Sequence, residues 1–213
     1  MDLYQFLVSR IGYNEPIFSK DLLKDVDLSP NALRQSLKRL VDKGKICRYD
    51  NSKGIFFIPD PNSLLKKNTL SVSKIIDKKY LFKNNERIGY ETGLSFSNML
   101  NLTTQNPVTI ELVTKAEKRS IRVVNYNKRK VTLRKPRVDI NNDNYKILQV
   151  LDLLTNFERL SAVPISSATK NILKYLKGIN VTGENLNAYL ENYPSKTSKI
   201  LMGSELYNEL TQR

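Results

Sequence analysis

The sequence has no histidine and one cysteine, Cys47, among its 213 residues. Without histidine, the commonest general base and the commonest metal ligand are both missing. A lone cysteine cannot form an internal disulfide or complete the usual structural zinc sets. Neither a metal nor a cofactor is therefore expected, and a reducing cytoplasm is the expected setting. Acidic residues are also scarce: 21 Asp and Glu face 35 Lys and Arg, a formal net charge of +14. No apolar run approaches the roughly eighteen residues of a membrane helix, so no membrane partner is expected. The opening stretch, MDLYQFLVSRIGY, has an acid at its second position and no small-residue cleavage site, so no signal peptide is expected. Candidate acids such as Glu91 and Glu111 exist, but nothing in spacing or pattern pairs them. The chain is expected not to be an enzyme.

What the sequence does have is positive charge, unevenly placed. Residues 1–60 carry ten basic and eight acidic residues, 61–140 seventeen and six, and 141–213 eight and seven. Residues 115–137 hold Lys115, Lys118, Arg119, Arg122, Lys128, Arg129, Lys130, Arg134, Lys135 and Arg137 against one acid, Glu117. So one-sided a span is expected to form a second basic patch. In RSIRVVNYNKRKVTLRKPR, Ile121 and Val123 alternate with Arg122, and Val131 and Leu133 with Lys130 and Arg134. This period predicts strands over 121–126 and 130–134 with the cations on one face, near Tyr126. An edge strand guarded by Lys and Arg would account for only about two or three such charges.

The first sixty residues read as three helices and a hairpin. A helix is expected over 2–13, with Leu3, Phe6, Leu7 and Ile11 on one face, and a second, short one capped by Ser19. The third takes Ser29 as its cap, Pro30 as its first residue and Gly44 as its stop. Within SPNALRQSLKRLVDKGK, Leu33, Leu37, Leu40 and Val41 share one face, and Asn31, Arg34, Gln35 and Lys38 the other. Residues 46–49 and 55–58, flanking the turn formers Asp50, Asn51 and Gly54, predict a β-hairpin. That order describes a winged helix-turn-helix over residues 1–61, whose third helix enters the major groove of double-stranded DNA.

There Arg pairs with guanine, and Asn or Gln with adenine. Asn31, Arg34, Gln35 and Lys38 are the expected readers of bases. Ser19, Lys20 and Ser29 stand at helix N-termini, suited to backbone phosphate, and Arg48 and Lys53 lie on or beside the wing. A merely solvated helix face, or a protein-docking bundle, would share parts of this pattern. The cap, helix, glycine and wing in sequence favour DNA.

PDPNS, residues 59–63, reads as a linker into a second domain, 62–213. Helices are expected there over 69–82, 91–100, 145–154, 168–177, 186–193 and 198–210, with a further strand over 108–113. The fold class is α+β: an N-terminal winged helix-turn-helix followed by a mixed α/β domain with a small basic sheet.

Residues 89–115, GYETGLSFSNMLNLTTQNPVTIELVTK, carry a likeness. They resemble the segment after the N-terminal domain in AbiEi-type antitoxins of type IV toxin–antitoxin systems, where a Tyr and Gly open a helix before LGLTTQ-P and a strand. Here the motif runs from Leu100 to Pro107, with Asn101 in place of the usual glycine. The resemblance extends over FSKDLL, over GKICRYDNSKGIFFIP and to the region of Tyr193 and Pro194. It implies an antitoxin that binds inverted repeats upstream of its own operon and represses it. It also implies a functional partner, a nucleotidyltransferase-like toxin, countered without a stable complex. The resemblance links the second domain to antitoxicity and to cooperative DNA binding by a monomer or weak dimer. Thr103, Thr104 and Gln105 themselves read as groups that satisfy a helix end. The charge alone also admits a basic adaptor that binds an acidic protein or RNA through the C-terminal sheet.

Overall fold

The computed structural model describes residues 2–49, 54–62 and 69–211. Among them the chain is α+β, with eleven α-helices and three small sheets. It divides into two compact units, Met1–Lys78 and Lys79–Arg213. No helix among the described residues is long and apolar enough to cross a membrane.

The first unit runs α1 (Leu3–Arg10), β1 (Ile17–Phe18), α2 (Ser19–Leu22), α3 (Pro30–Asp42), β2 (Cys47–Arg48), β3 (Ile55–Phe57) and α4 (Val72–Ile76). α3 begins as its sequence predicts: Ser29 Oγ accepts the Ala32 N–H at 3.2 Å, and Pro30 fills the first position, where no N–H is needed. Its Leu33, Leu37 and Leu40 enter one core with Leu7, Ile17, Leu22, Ile46, Phe56 and Ile58. β3 lies between β1 and β2 and is antiparallel to both, pairing Phe56 with Ile17 and Phe57 with Cys47.

β1 was not expected, because two residues are too few to show alternation. Ser19 is not the cap of α2 but its first residue. Phe18 precedes it without a side-chain cap bond, and the Ser19 N–H goes to Gly54 O at 3.0 Å, tying the helix start to the hairpin. Asp50, Asn51 and Lys53 lie outside the described residues. α4 is held by the chain before β1. Lys74 Nζ donates to Asn14 O at 3.0 Å and pairs with Glu15 at 2.6 Å, and Lys78 Nζ donates to Pro16 O at 3.1 Å. Burial keeps the Lys78 ammonium below the usual lysine range, against the pull of Glu15 and Asp21. The expected helix over 69–82 is thus shorter: α4 passes into a π-helical turn, Asp77–Leu81.

In the second unit, β4 (Phe82–Lys83) and β5 (Glu86–Arg87) make a tight hairpin. β6 (Gly89–Thr92), β7 (Thr109–Thr114), β8 (Ile121–Tyr126) and β9 (Arg129–Arg134) form a sheet of order β6-β7-β9-β8. β7 and β9 are parallel, and the other pairs antiparallel. Tyr90 and Val113 of this sheet join the core of seven helices: α5 (Gly93–Met99), α6 (Tyr145–Thr155), α7 (Phe157–Leu160), α8 (Ile165–Tyr175), α9 (Gly183–Leu190), α10 (Ser195–Met202) and α11 (Leu206–Thr211).

The helix expected over 91–100 starts two residues later, because Glu91 and Thr92 are strand. β6 occupies Gly89–Thr92, and a Cβ at Gly89 would lie 2.2 Å from Tyr80 O, a distance only glycine permits. Gly93, at φ +69°, then turns the strand into α5. The expected helix over 198–210 is two, α10 and α11, interrupted around Gly203.

Candidate nucleic-acid interface

In the first unit, α3 exposes Asn31, Arg34, Gln35 and Lys38, all on the side away from its buried leucines. Arg34 Nη1 donates to Asn31 Oδ1 at 3.3 Å, so the two side chains lie along the helix as a pair. Arg39 is exposed as well, a cation that the sequence reading did not single out. Ser29 Oγ is already used as an acceptor at the helix start; its O–H remains a donor. Lys20 is exposed on α2, while Ser19 is half-buried. Arg48 is exposed on β2, its guanidinium 5.5 Å from the Phe56 ring centre. Lys53 lies outside the described residues.

In the second unit, the ten basic residues do not share one face. Ile121 and Val123 of β8 were expected inward and Arg122 outward. Instead Ile121 is 50% exposed and Val123 46%, while Arg122 is half-buried. Tyr126 explains the reversal. It is buried, and its hydroxyl lies 2.8 Å from that of Tyr80. With a side-chain period of two, burying Tyr126 and Val124 turns Arg122 inward with them. Register then places Ile121 beside Arg134, Val123 beside Thr132 and Asn125 beside Lys130 on one face, with Arg122 and Arg129 on the other. Tyr126 is therefore a packing residue, not part of an exposed cationic surface.

Four of the ten cations have carboxylate partners. Lys115 pairs with Asp139 at 2.9 Å, Arg134 with Glu111 at 3.1 Å, Arg137 with Asp152 at 4.0 Å, and Arg122 with Glu117. Glu117 has only 4% of its side chain exposed. Burial opposes its charge, but the N–H groups of Arg119 and Lys118 and the Arg122 guanidinium outweigh it, holding the carboxyl below its ordinary range. Lys118, Arg119, Lys128, Arg129, Lys130 and Lys135 are exposed and have no ion pair among the described residues. They fall into two groups, Lys128 to Lys130 at the β8–β9 turn, and Lys118, Arg119 and Lys135 at the opposite ends of those strands. A six-residue strand separates such groups by about 17 Å.

A cavity of about 360 Å³ lies between this sheet and the end of α6 with α7. Arg134, Arg137, Asp152 and Arg159 are among its lining side chains. Asp152 Oδ2 accepts the Tyr90 hydroxyl at 2.7 Å. Burial raises the Asp152 carboxyl to about 6, against the opposing effects of Tyr90, Arg137 and Arg134. Asp152 and Arg159 have no signal in the sequence: each is one of two charges on its helix, and only the fold carries them to the sheet. Among the described residues, no group of three His, Cys, Asp or Glu is placed to hold a metal.

Residues 16–159 match the Family of unknown function (DUF6088), and the chain belongs to that family. The match spans both units, from just before β1 into α7. No curated protein was found to match the chain.

Proposed function

We propose that this protein is a cytoplasmic, sequence-specific DNA-binding antitoxin that represses its own toxin–antitoxin operon and counteracts a nucleotidyltransferase-like toxin. In this reading the first unit is a winged helix-turn-helix, with α3 the recognition helix and β2–β3 the wing. The observation that carries it is the two-sided α3: three leucines anchor the helix, and Asn31, Arg34, Gln35 and Lys38 stand exposed together. These are the donor and acceptor types that read base edges in the major groove. The likeness of residues 89–115 to AbiEi-type antitoxins supplies the operon and the toxin. The unpaired cations of the second unit, in two groups, suit the phosphates of a duplex and add affinity without sequence preference.

The test is a reporter driven by the DNA upstream of the gene. Expression of the chain is expected to lower reporter output, and an Arg34→Ala, Gln35→Ala double variant to restore it. Unchanged output with the parent chain contradicts the repressor reading.

A second reading has its own observation. Ile121 and Val123 are exposed on the face that also carries Lys130 and Arg134, and apolar side chains there suit an acidic protein better than a phosphate backbone. A stable complex with the separately purified toxin would favour this adaptor role.

A further inference from the structure

The cavity between the sheet and α7 carries more positive charge than its own carboxylates neutralise. Arg134, Lys135, Arg137 and Arg159 line it against Glu111 and Asp152. Glu111 and Asp152 hold two of the guanidiniums in place, at 3.1 Å from Arg134 and 4.0 Å from Arg137. Lys135 and Arg159 have no ion pair among the described residues. Three guanidiniums thus meet at one space from three places: the end of β9, the segment after it, and α7. The planar fork of arginine matches phosphoryl oxygens in a way that a lysine cluster does not.

The cavity's size and its acid narrow the ligand further. About 360 Å³ is more than a lone phosphate fills and lies within the range of small-molecule pockets. Asp152 Oδ2 is taken by Tyr90, but Oδ1 stands too far from Arg137 for a hydrogen bond and keeps its lone pairs for another donor. Thr92, Ser120 and Asn156 add neutral polar groups to the wall.

We propose that this cavity binds a nucleoside phosphate, with phosphoryl oxygens on Arg134, Arg137 and Arg159 and a sugar hydroxyl or base amino group donating to Asp152. The site lies wholly within the second unit. It goes beyond the DNA-binding reading and does not rest on it.

The experiment is calorimetric titration of the full chain with ATP, GTP, CTP, UTP and inorganic pyrophosphate at about 0.15 M salt, where surface charge is screened. At least one nucleotide is expected to saturate a single site at least about tenfold more tightly than pyrophosphate, because only the nucleotide reaches Asp152. Arg159→Gln should weaken nucleotide and pyrophosphate alike by about tenfold or more. Asp152→Asn should weaken the nucleotide alone, and Lys170→Gln on α8 neither. Arg159 is exposed and unpaired, so its variant folds, which circular dichroism checks.

No saturable binding by any probe overturns the proposal. So does binding that Arg159→Gln leaves unchanged, or that Lys170→Gln weakens equally. Pyrophosphate binding as tight as the best nucleotide overturns the nucleoside assignment. Gel shifts on the same protein keep the two readings apart. Nucleotide binding without DNA binding removes only the repressor reading, and the reverse result removes only this one.

Discussion

Asp152 shows how a single half-buried acid couples this fold to pH. Its carboxyl ordinarily titrates near 3.8, and burial raises it to about 6. Below the lower value both native and unfolded chains hold the proton. Between the two the unfolded chain releases it and the native chain keeps it, so stability falls as pH rises. Above about 6 the full cost of roughly 3 kcal/mol is present. Asparagine can still accept the Tyr90 hydroxyl without carrying charge. Asp152→Asn is therefore expected to be more stable than the parent at neutral pH by up to about 3 kcal/mol, a figure already net of the attraction of Arg137 and Arg134, with the advantage shrinking towards pH 4. Urea denaturation across that range measures it; a difference that does not change with pH contradicts it.

Two other residue classes divide the proposed DNA contact between them. Arg34 and Gln35 belong to base reading, so truncating either should cost about 1–3 kcal/mol on the preferred sequence and relax preference at one position. Arg129, exposed at the β8–β9 turn, belongs to phosphate. Arg129→Ala should weaken all duplexes alike and lower the salt slope by about one. Competition titrations with matched and scrambled duplexes separate the two. If both variants lose affinity uniformly, α3 does not read bases.

Among the elements, α3 was the most legible in the sequence. Its cap, its proline, its leucine spacing and its terminal glycine all point to the same helix, and the structure has that helix. Leu37 is 2% exposed, and Leu37→Ala should cost about 2–5 kcal/mol, while Ser29→Ala should cost about 1 kcal/mol through the lost cap. Denaturation midpoints rank the two, and a larger loss for Ser29→Ala would mean that α3 is held by its start rather than by its buried face.

The sheets were less legible, for a physical reason. β1 has two residues and β6 four, too short to set up a period against the helices beside them. In β8, Val123 and Val124 stand side by side, so the sequence allows either parity. The choice is made by Tyr126 burying against Tyr80, a contact between residues far apart in the chain. The same holds for the candidate sites. The exposed residues of α3 proposed to read bases lie within one helix, and their shared face follows from spacing. The cavity draws on β6, β7, β9, α6 and α7, and no local pattern announces it.

At the scale of the whole molecule, the net charge of +14 sets a background that any specific function must exceed. On the proposed reading, a chain this basic is expected to bind any duplex at low salt by releasing counterions, and that term falls steeply as salt rises. Specific recognition adds hydrogen bonds and shape complementarity, which salt affects far less. The α3 face in one unit and the unpaired cations in the other predict both terms at once: a steep salt dependence on all DNA, and a preference that persists where the charge term has faded.

Sequence-specific DNA binding by this chain is decided by a gel-shift titration against the DNA immediately upstream of the gene, beside scrambled DNA of equal length, at low and at physiological salt. A repressor with a reading helix is expected to bind both duplexes similarly at low salt and to retain the upstream duplex alone at the higher salt. Equal loss of both would contradict it, leaving the positive charge acting without a reader.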